Sequence, residues 1–316
     1  MNFAEIRKLN KTKMIGAISV VVSCSIPLIC FILYFLGKIR FFSLWISVPI
    51  SLAIFFLLGT SLFKVENEVL NYILAQFPDW NKEKKEDKNN FRNDLFSNNV
   101  FPALLPVYNN KRDLDISDVF SRVNDSLEKS ISQIEYCEGE EVTKKDRDGH
   151  RKKEYKITYD FVAGMICVKN SKNLNSITYF KTNNYPKGTK KEIIEEKSKL
   201  VLPKIENYTA ADYNIDVYGD NPAVAEKLAS KELFETLQNI KRELNLLYIK
   251  AVFYNKYIFF ILRDKNMETG INWVFPLFIK IPFLKSIDYP LLNRGISNFK
   301  LLTDLADKAQ DFTKNI

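Results

Sequence analysis

The sequence predicts an α+β protein: an N-terminal two-helix transmembrane hairpin followed by a soluble domain of mixed helices and strands. Three observations predict it. Two long runs without a charged residue stand in the first fifth of the chain, and the 253 residues beyond residue 63 are far more polar. Within that remainder, strand-like and helix-like periodicities come in groups rather than in strict alternation, which is the α+β pattern.

The first uncharged run is Met14 to Gly37, between Lys13 and Lys38; the second is Phe41 to Phe63, between Arg40 and Lys64. Each reaches the roughly 20 residues that a helix needs to cross a bilayer. A cleaved signal peptide fits poorly, because the first run is long, lacks a small-x-small cleavage site and is followed at once by the second. The link Lys38-Ile39-Arg40 forces a tight antiparallel hairpin, with both chain ends on one side. Arg7, Lys8, Lys11 and Lys13 precede the first span, and Lys64, Lys82, Lys84, Lys85 and Lys88 follow the second, so positive-inside counting puts both termini in the cytoplasm. Ser43, Ser47 and Ser51 recur every four residues, as do Ser19, Ser23 and Pro27. Small residues so spaced form a flat seam where helices approach closely, within the hairpin or between copies in a homo-oligomer.

These marks divide the chain into a basic tail (1–13), the hairpin (14–63, with spans 14–37 and 41–63), a stalk with linking helices (64–110) and a soluble α+β domain (111–316). In the stalk, Val65, Val69, Tyr72, Ile73 and Phe77 keep helical spacing up to Pro78, and Phe91, Leu95, Phe96, Val100 and Leu104 repeat it. Ile131, Ile134 and Tyr136 then lead to a charged tip with Asp148-Gly149-His150 and back through Tyr155-Lys156-Ile157-Thr158-Tyr159, a hairpin signature. Phe161 to Val168 is nearly all apolar and reads as a strand buried on both faces. Lys187 to Lys199 is polar, a loop or exposed helix. Tyr213 to Tyr218 alternates as a strand, Gly219-Asp220-Asn221 turns, and Pro222 opens a helix that Asn221 or Asp220 caps and that runs to about Leu244. Leu247–Tyr254 and Tyr257–Arg263 form a hairpin across Asn255-Lys256, and Ile296, Phe299, Leu302, Leu305, Ala306 and Ala309 describe a last amphipathic helix.

This order of parts resembles an uncharacterised bacterial membrane-protein family, a domain of unknown function. The resemblance rests on the paired spans, the strand from Phe161 to Gly164, the turn Val217-Tyr218-Gly219-Asp220 before an Ala-rich helix, and the aromatic hairpin near the C-terminus. The family more often has Phe-Arg-Gly in that strand and Tyr-Ser-x-Asp at that turn; here Val162-Ala163 replaces the arginine and Gly219 the serine. The resemblance implies two N-terminal spans, a cytoplasmic α+β domain and a place in the bacterial plasma membrane. It implies no chemistry.

The net charge of +8 suggests nucleic acid until it is divided by region. The N-terminal tail carries +3, the link +2, and the 253-residue remainder only +3 with both signs interspersed. Phosphate neutralisation needs a sustained basic surface, so nucleic acid is not an expected partner. Four cysteines, two of them (Cys24 and Cys30) inside the first run, exclude a disulfide framework. His150 is the single histidine, which leaves little for a metal cluster or a Ser-His or Cys-His pair. No phosphate-cradling glycine motif occurs among 10 glycines, and no cofactor is expected.

Two candidate sites remain. Asp212, Asp216 and Asp220 are spaced so that they would serve as paired carboxylates or hold a hard cation if they converged; capping and solvent exposure explain them equally. Trp273, Phe275, Phe278 and Phe283 lie in a dense apolar segment that is an interaction patch if exposed and core if not. The expected function is therefore a membrane-anchored cytoplasmic binding or scaffolding module with the lipid bilayer and another protein as partners. The alternatives are an enzyme acting on a membrane-associated substrate through carboxylates, and a small channel or transporter component.

Overall fold

The computed structural model describes residues 3–38, 40–54, 60–83, 114–124, 127–145, 151–182, 202–264, 273–281, 286–314 and 316. The helical pattern at 91–104, the polar stretch 187–199, the hairpin tip with His150, and Phe283 lie outside these residues. The chain divides into two compact units, Met1–Pro78 with Ile271–Ser297, and Asp79–Gly270 with Asn298–Ile316. The stretch Ile271–Ser297 thus groups with the N-terminal helices.

The first unit is built on α1 (Phe3–Phe35), α2 (Phe41–Ile54) and α3 (Thr60–Leu74), with a short ribbon, β10 (Trp273–Val274) against β11 (Ile279–Lys280). Among the described residues one helix, α1, is long and apolar enough to cross a membrane; the apolar helix in the second run is shorter. The hairpin of two full spans is thus represented by one span-length helix and by α2, which packs against it. Residues 3–13 are not a separate tail. They extend α1 by three turns, and Ile6 and Leu9 are buried there, as are Val65, Val69, Leu70 and Ile73 of α3.

Asn10 ties α1 to a distant part of this unit. Its amide Nδ2 donates to the Ile287 carbonyl at 2.9 Å, and its Oδ1 accepts from the Ile287 N–H at 2.7 Å. One side chain so satisfies both backbone groups of a residue that is itself buried. Asn10→Ala should cost about 1–3 kcal/mol, because it orphans a donor and an acceptor together; the check is thermal unfolding of the full chain in detergent.

On α3, burial pushes the Glu66 carboxyl above its ordinary value of 4.5. A raised folded-state value means that the stabilising, protonated form is fully present below the unfolded value and is lost as pH rises through the folded one. Glu66→Gln should accordingly raise the melting temperature at pH 7 and leave it unchanged below pH 4.5. An equal shift at both pH values would contradict burial as the cause.

The second unit is one antiparallel sheet with, among the described residues, nine strands in the order β1-β2-β3-β4-β9-β8-β5-β7-β6. In chain order these are β1 (Asn81–Lys82), β2 (Leu114–Asn124), β3 (Leu127–Lys145), β4 (Arg151–Lys169), β5 (Ile177–Thr182), β6 (Lys204–Ile205), β7 (Ile215–Gly219), β8 (Leu246–Tyr254) and β9 (Tyr257–Asp264). Its helices are α4 (Tyr208–Asp212), α5 (Pro222–Leu228), α6 (Lys231–Glu243) and the end of α7 (Tyr289–Lys308). The β3–β4 and β8–β9 hairpins stand where the alternation predicts them. Asn255 turns the second at φ 48°, a left-handed position that Asn tolerates.

One sheet face carries the helices. Phe180 meets Phe253 and Phe234 of α6, Phe120 meets Phe299 of α7, and Phe260 meets Phe312. The other face holds a second buried cluster that includes Ile134, Ala163, Met165, Val252, Phe259 and Ile261. A strand covered on both faces needs apolar residues at every position, which is why Ala163 to Val168 reads as an unbroken run.

The helix expected from Pro222 to Leu244 is two helices. Ala229 leaves the helical region at ψ 86°, and the Ser230 hydroxyl accepts from the Leu233 N–H to start α6 afresh. The apolar spacing continues across the break because Leu228 and Leu233 are both buried. Periodicity alone therefore hides it, while the Ser-Lys-Glu-Leu start of α6 marks it.

Candidate functional site

The acidic series lies on and around β7, the strand next to the β6 edge of the sheet. Asn207 caps α4 by accepting from the Ala210 N–H at 2.9 Å, and the helix ends at Asp212, which is exposed. Asn214, at φ 52°, turns the chain into β7. There Asp216 sits opposite Lys181 of β5, and its Oδ1 is 2.6 Å from the Lys204 ammonium. The hydrogen bond to Asp216 holds the Lys204 pKa above its ordinary value of 10.5, against the smaller opposing effect of burial.

Asp220 does not cap the following helix. Its Oδ1 accepts from the Ile177 N–H at 3.0 Å while its own N–H donates to the Ile177 carbonyl at 3.1 Å, continuing the β5–β7 pairing by one residue. Asn221 is the cap, accepting from Ala223 and Val224 at 3.1 and 3.3 Å, with Pro222 in the first turn of α5. Gly219 permits this join. A Cβ there would stand 3.1 Å from the Ile177 carbonyl oxygen and 3.1 Å from Thr178 Oγ1.

Asp216 thus faces an ammonium and Asp220 a backbone amide, each in a structural bond. Among the described residues no three of His, Cys, Asp and Glu come together so as to hold a metal ion. Three substitutions separate the roles of these side chains. Asn221→Ala should cost about 0.5–2 kcal/mol as a lost cap. Asp220→Ala should cost about 1–2 kcal/mol by orphaning the Ile177 N–H. Asp216→Ala, which breaks a half-exposed ion pair, should cost under about 1 kcal/mol. Equilibrium denaturation measures all three, and a neutral Asp220→Ala would remove the strand-tie role.

A second constellation becomes apparent only in the folded sheet. Tyr179 and Lys181 of β5, Tyr248 and Lys250 of β8, and Asp216 and Tyr218 of β7 each stand two apart, so each pair shares a strand face. Pairing brings Lys181 opposite Lys250, and the like charges are spread over rings: Lys250 Nζ lies 4.0 Å from the Tyr179 centroid and Lys181 Nζ 4.8 Å from that of Tyr248. Tyr179 stacks on Tyr218 at 4.7 Å. The repeated Tyr-x-Lys spacing was visible, but only the register shows that the two copies are neighbours.

The apolar candidates fall in the other unit. Phe275 and Phe278 are buried and meet edge to face at 5.9 Å, with Leu277 and Ile281 buried beside them in sequence, so at these positions the segment is core. Trp273 opens β10. Ser47 and Ser51 are buried too, and so are Ser19 and Ser23 of α1. Ser51 and Ser23 donate to the carbonyls four residues back, Ser47 and Ser19, at 2.8 and 2.6 Å. At Ser47 and Ser51 the small-residue seam is buried within the chain, where α1 and α2 pack together.

Fold and surfaces together define an α+β protein with a large antiparallel sheet and an N-terminal helix long and apolar enough to anchor it in a membrane. No protein-family model and no curated protein matches the chain. Among solved structures, the mycobacterial trehalose monomycolate transport factor A, TtfA, is similar over 61% of this chain and 73% of its own, at 9% sequence identity and a TM-score of 0.28. A likeness at that level carries no argument about what this chain does.

Proposed function

We propose that the chain is a membrane-anchored binding or scaffolding module of the bacterial plasma membrane, held by a two-span hairpin with both termini in the cytoplasm and presenting its sheet unit to a protein partner. It belongs, in this reading, with the two-span family that the sequence resembles. The observation that carries the anchoring is the outward side of α1, where Met14 is 58%, Ile18 54% and Phe35 71% exposed while Ala17, Ser19 and Ser23 on the other side are buried. Large apolar residues left outside a folded unit over about six turns of helix need an apolar solvent.

Support for the hairpin comes from α2. Trp45, Ile46, Val48, Ile50 and Leu52 are exposed while Ser47 and Ser51 are buried, so the apolar side faces outward and the small side inward. Support for a binding rather than catalytic role comes from Asp216 and Asp220, whose carboxylates are engaged in structural bonds. Cysteine introduced at Asn2 or Asn315, with the native cysteines replaced by serine, should resist a membrane-impermeant thiol reagent in intact cells and react once the membrane is opened. Labelling at Asn315 in intact cells would reverse the orientation, and opposite labelling of the two ends would remove the hairpin.

A further inference from the structure

The face of α1 that turns toward lipid does not stop where the apolar residues stop. At about 100° per residue, Met14, Ile15, Ile18 and Val22 fall within an arc of about 100° on one side of the helix. These four are exposed, while Gly16, Ala17, Ser19 and Ser23, on the other side, are buried. Carried down the helix, the same arc contains Arg7, Lys8 and Lys11, within about 20° of its edge, and all three are exposed. Glu5, the acid of this stretch, lies about 160° round from Arg7. The basic stripe is therefore the direct continuation of the lipid-facing stripe, and points in the same direction.

Depth fits as well. Lys11 lies about 4.5 Å along the axis from Met14, Lys8 about 9 Å and Arg7 about 10.5 Å. The polar layer on each side of a bilayer is about 5–7 Å thick. Lys11 stands within it, and the long side chains of Lys8 and Arg7 reach into it from just outside. A neutral or zwitterionic surface leaves three aligned cations uncompensated; phosphate-bearing anionic headgroups compensate them.

We propose that Arg7, Lys8 and Lys11 form a docking stripe for anionic phospholipid headgroups of the leaflet in which α1 emerges. The proposal rests on the membrane-anchored reading and deepens it by naming the lipid class. One cation near an anionic surface contributes about 1 kcal/mol, or about fivefold in partition.

The test uses the full chain in lipid nanodiscs containing phosphatidylcholine and phosphatidylglycerol, with spin-labelled versions of each reporting which lipid is immobilised by the protein. Phosphatidylglycerol should be preferred by about fivefold at low salt, and less at 1 M salt, where the screening length is about 3 Å. Arg7→Gln/Lys8→Gln/Lys11→Gln should lose most of that preference. Lys227→Gln/Lys256→Gln/Lys308→Gln, which removes the same charge from exposed positions of the sheet unit, should keep it. Equal preference for the two lipids in the wild type, or a preference that the first triple variant retains, overturns the stripe. A wild-type chain that does not enter the discs overturns the anchoring itself. Neither triple variant touches a buried position, so folding is preserved in both.

Discussion

Phe180→Ala should lower the stability of the sheet unit by about 3–5 kcal/mol, the largest loss expected from one side chain here. Phe180 is fully buried on β5, with ring centroids 5.7 Å from Phe234 of α6 and 5.9 Å from Phe253 of β8. Truncation removes the transfer energy of a benzyl group and leaves a cavity between a sheet and a helix that cannot both close on it. Phe180→Leu should recover a good part of the loss. Chemical denaturation followed by near-ultraviolet circular dichroism measures both; a loss below about 1 kcal/mol for the alanine would mean that α6 does not pack on β5 as described.

Asp307→Ala should cost about 2–3 kcal/mol although Asp307 itself is half exposed. Its two oxygens lie 2.9 and 3.0 Å from Arg122 Nη1, and one of them is 2.5 Å from Lys129 Nζ. Lys129 has a side chain only 10% exposed, so removing the carboxylate leaves a largely desolvated ammonium unpaired. Replacing both partners, as in Lys129→Met/Asp307→Leu, should restore most of the stability, because an apolar pair bears no desolvation penalty. A double variant no better than the single one would show that the ion pair, rather than the stranded charge, sets the energy.

How far the sequence reads into this fold depends on the distance over which each feature is decided. The hairpin around Asn255 and the turn from β7 into α5 are local, since a turn residue and its flanking alternation lie within a dozen positions. The break at Ala229-Ser230 is also local, yet the continuous apolar spacing from Leu228 to Leu233 conceals it. Residues 3–13 read as a basic tail because four cations outweigh Ile6 and Leu9, which matter only once α3 lies near. The bond between Asn10 and Ile287 spans 277 positions and leaves no mark on either neighbourhood.

The same scale governs the candidate sites. The Asp212, Asp216 and Asp220 spacing invited a carboxylate pair, but Lys204 and Ile177, their decisive partners, arrive from β6 and β5. Tyr179 and Lys250 become a cation–π contact only through the β5–β8 register. Density alone leaves the aromatic segment open between patch and core, whereas burial puts Phe275 and Phe278 in the core.

On its outward face, α1 passes from water into lipid between Lys11 and Met14. Single cysteines at Lys8, Lys11, Ile15 and Ile18, in the full chain with native cysteines replaced, lie on the outward face of the helix and differ in depth. In sealed membranes opened to the cytoplasmic side, a water-soluble maleimide should label Lys8 and Lys11 positions readily and leave the Ile15 and Ile18 positions largely unreacted. Equal labelling of Ile18 and Lys8 positions would mean that water, not lipid, meets this face, and would contradict the account.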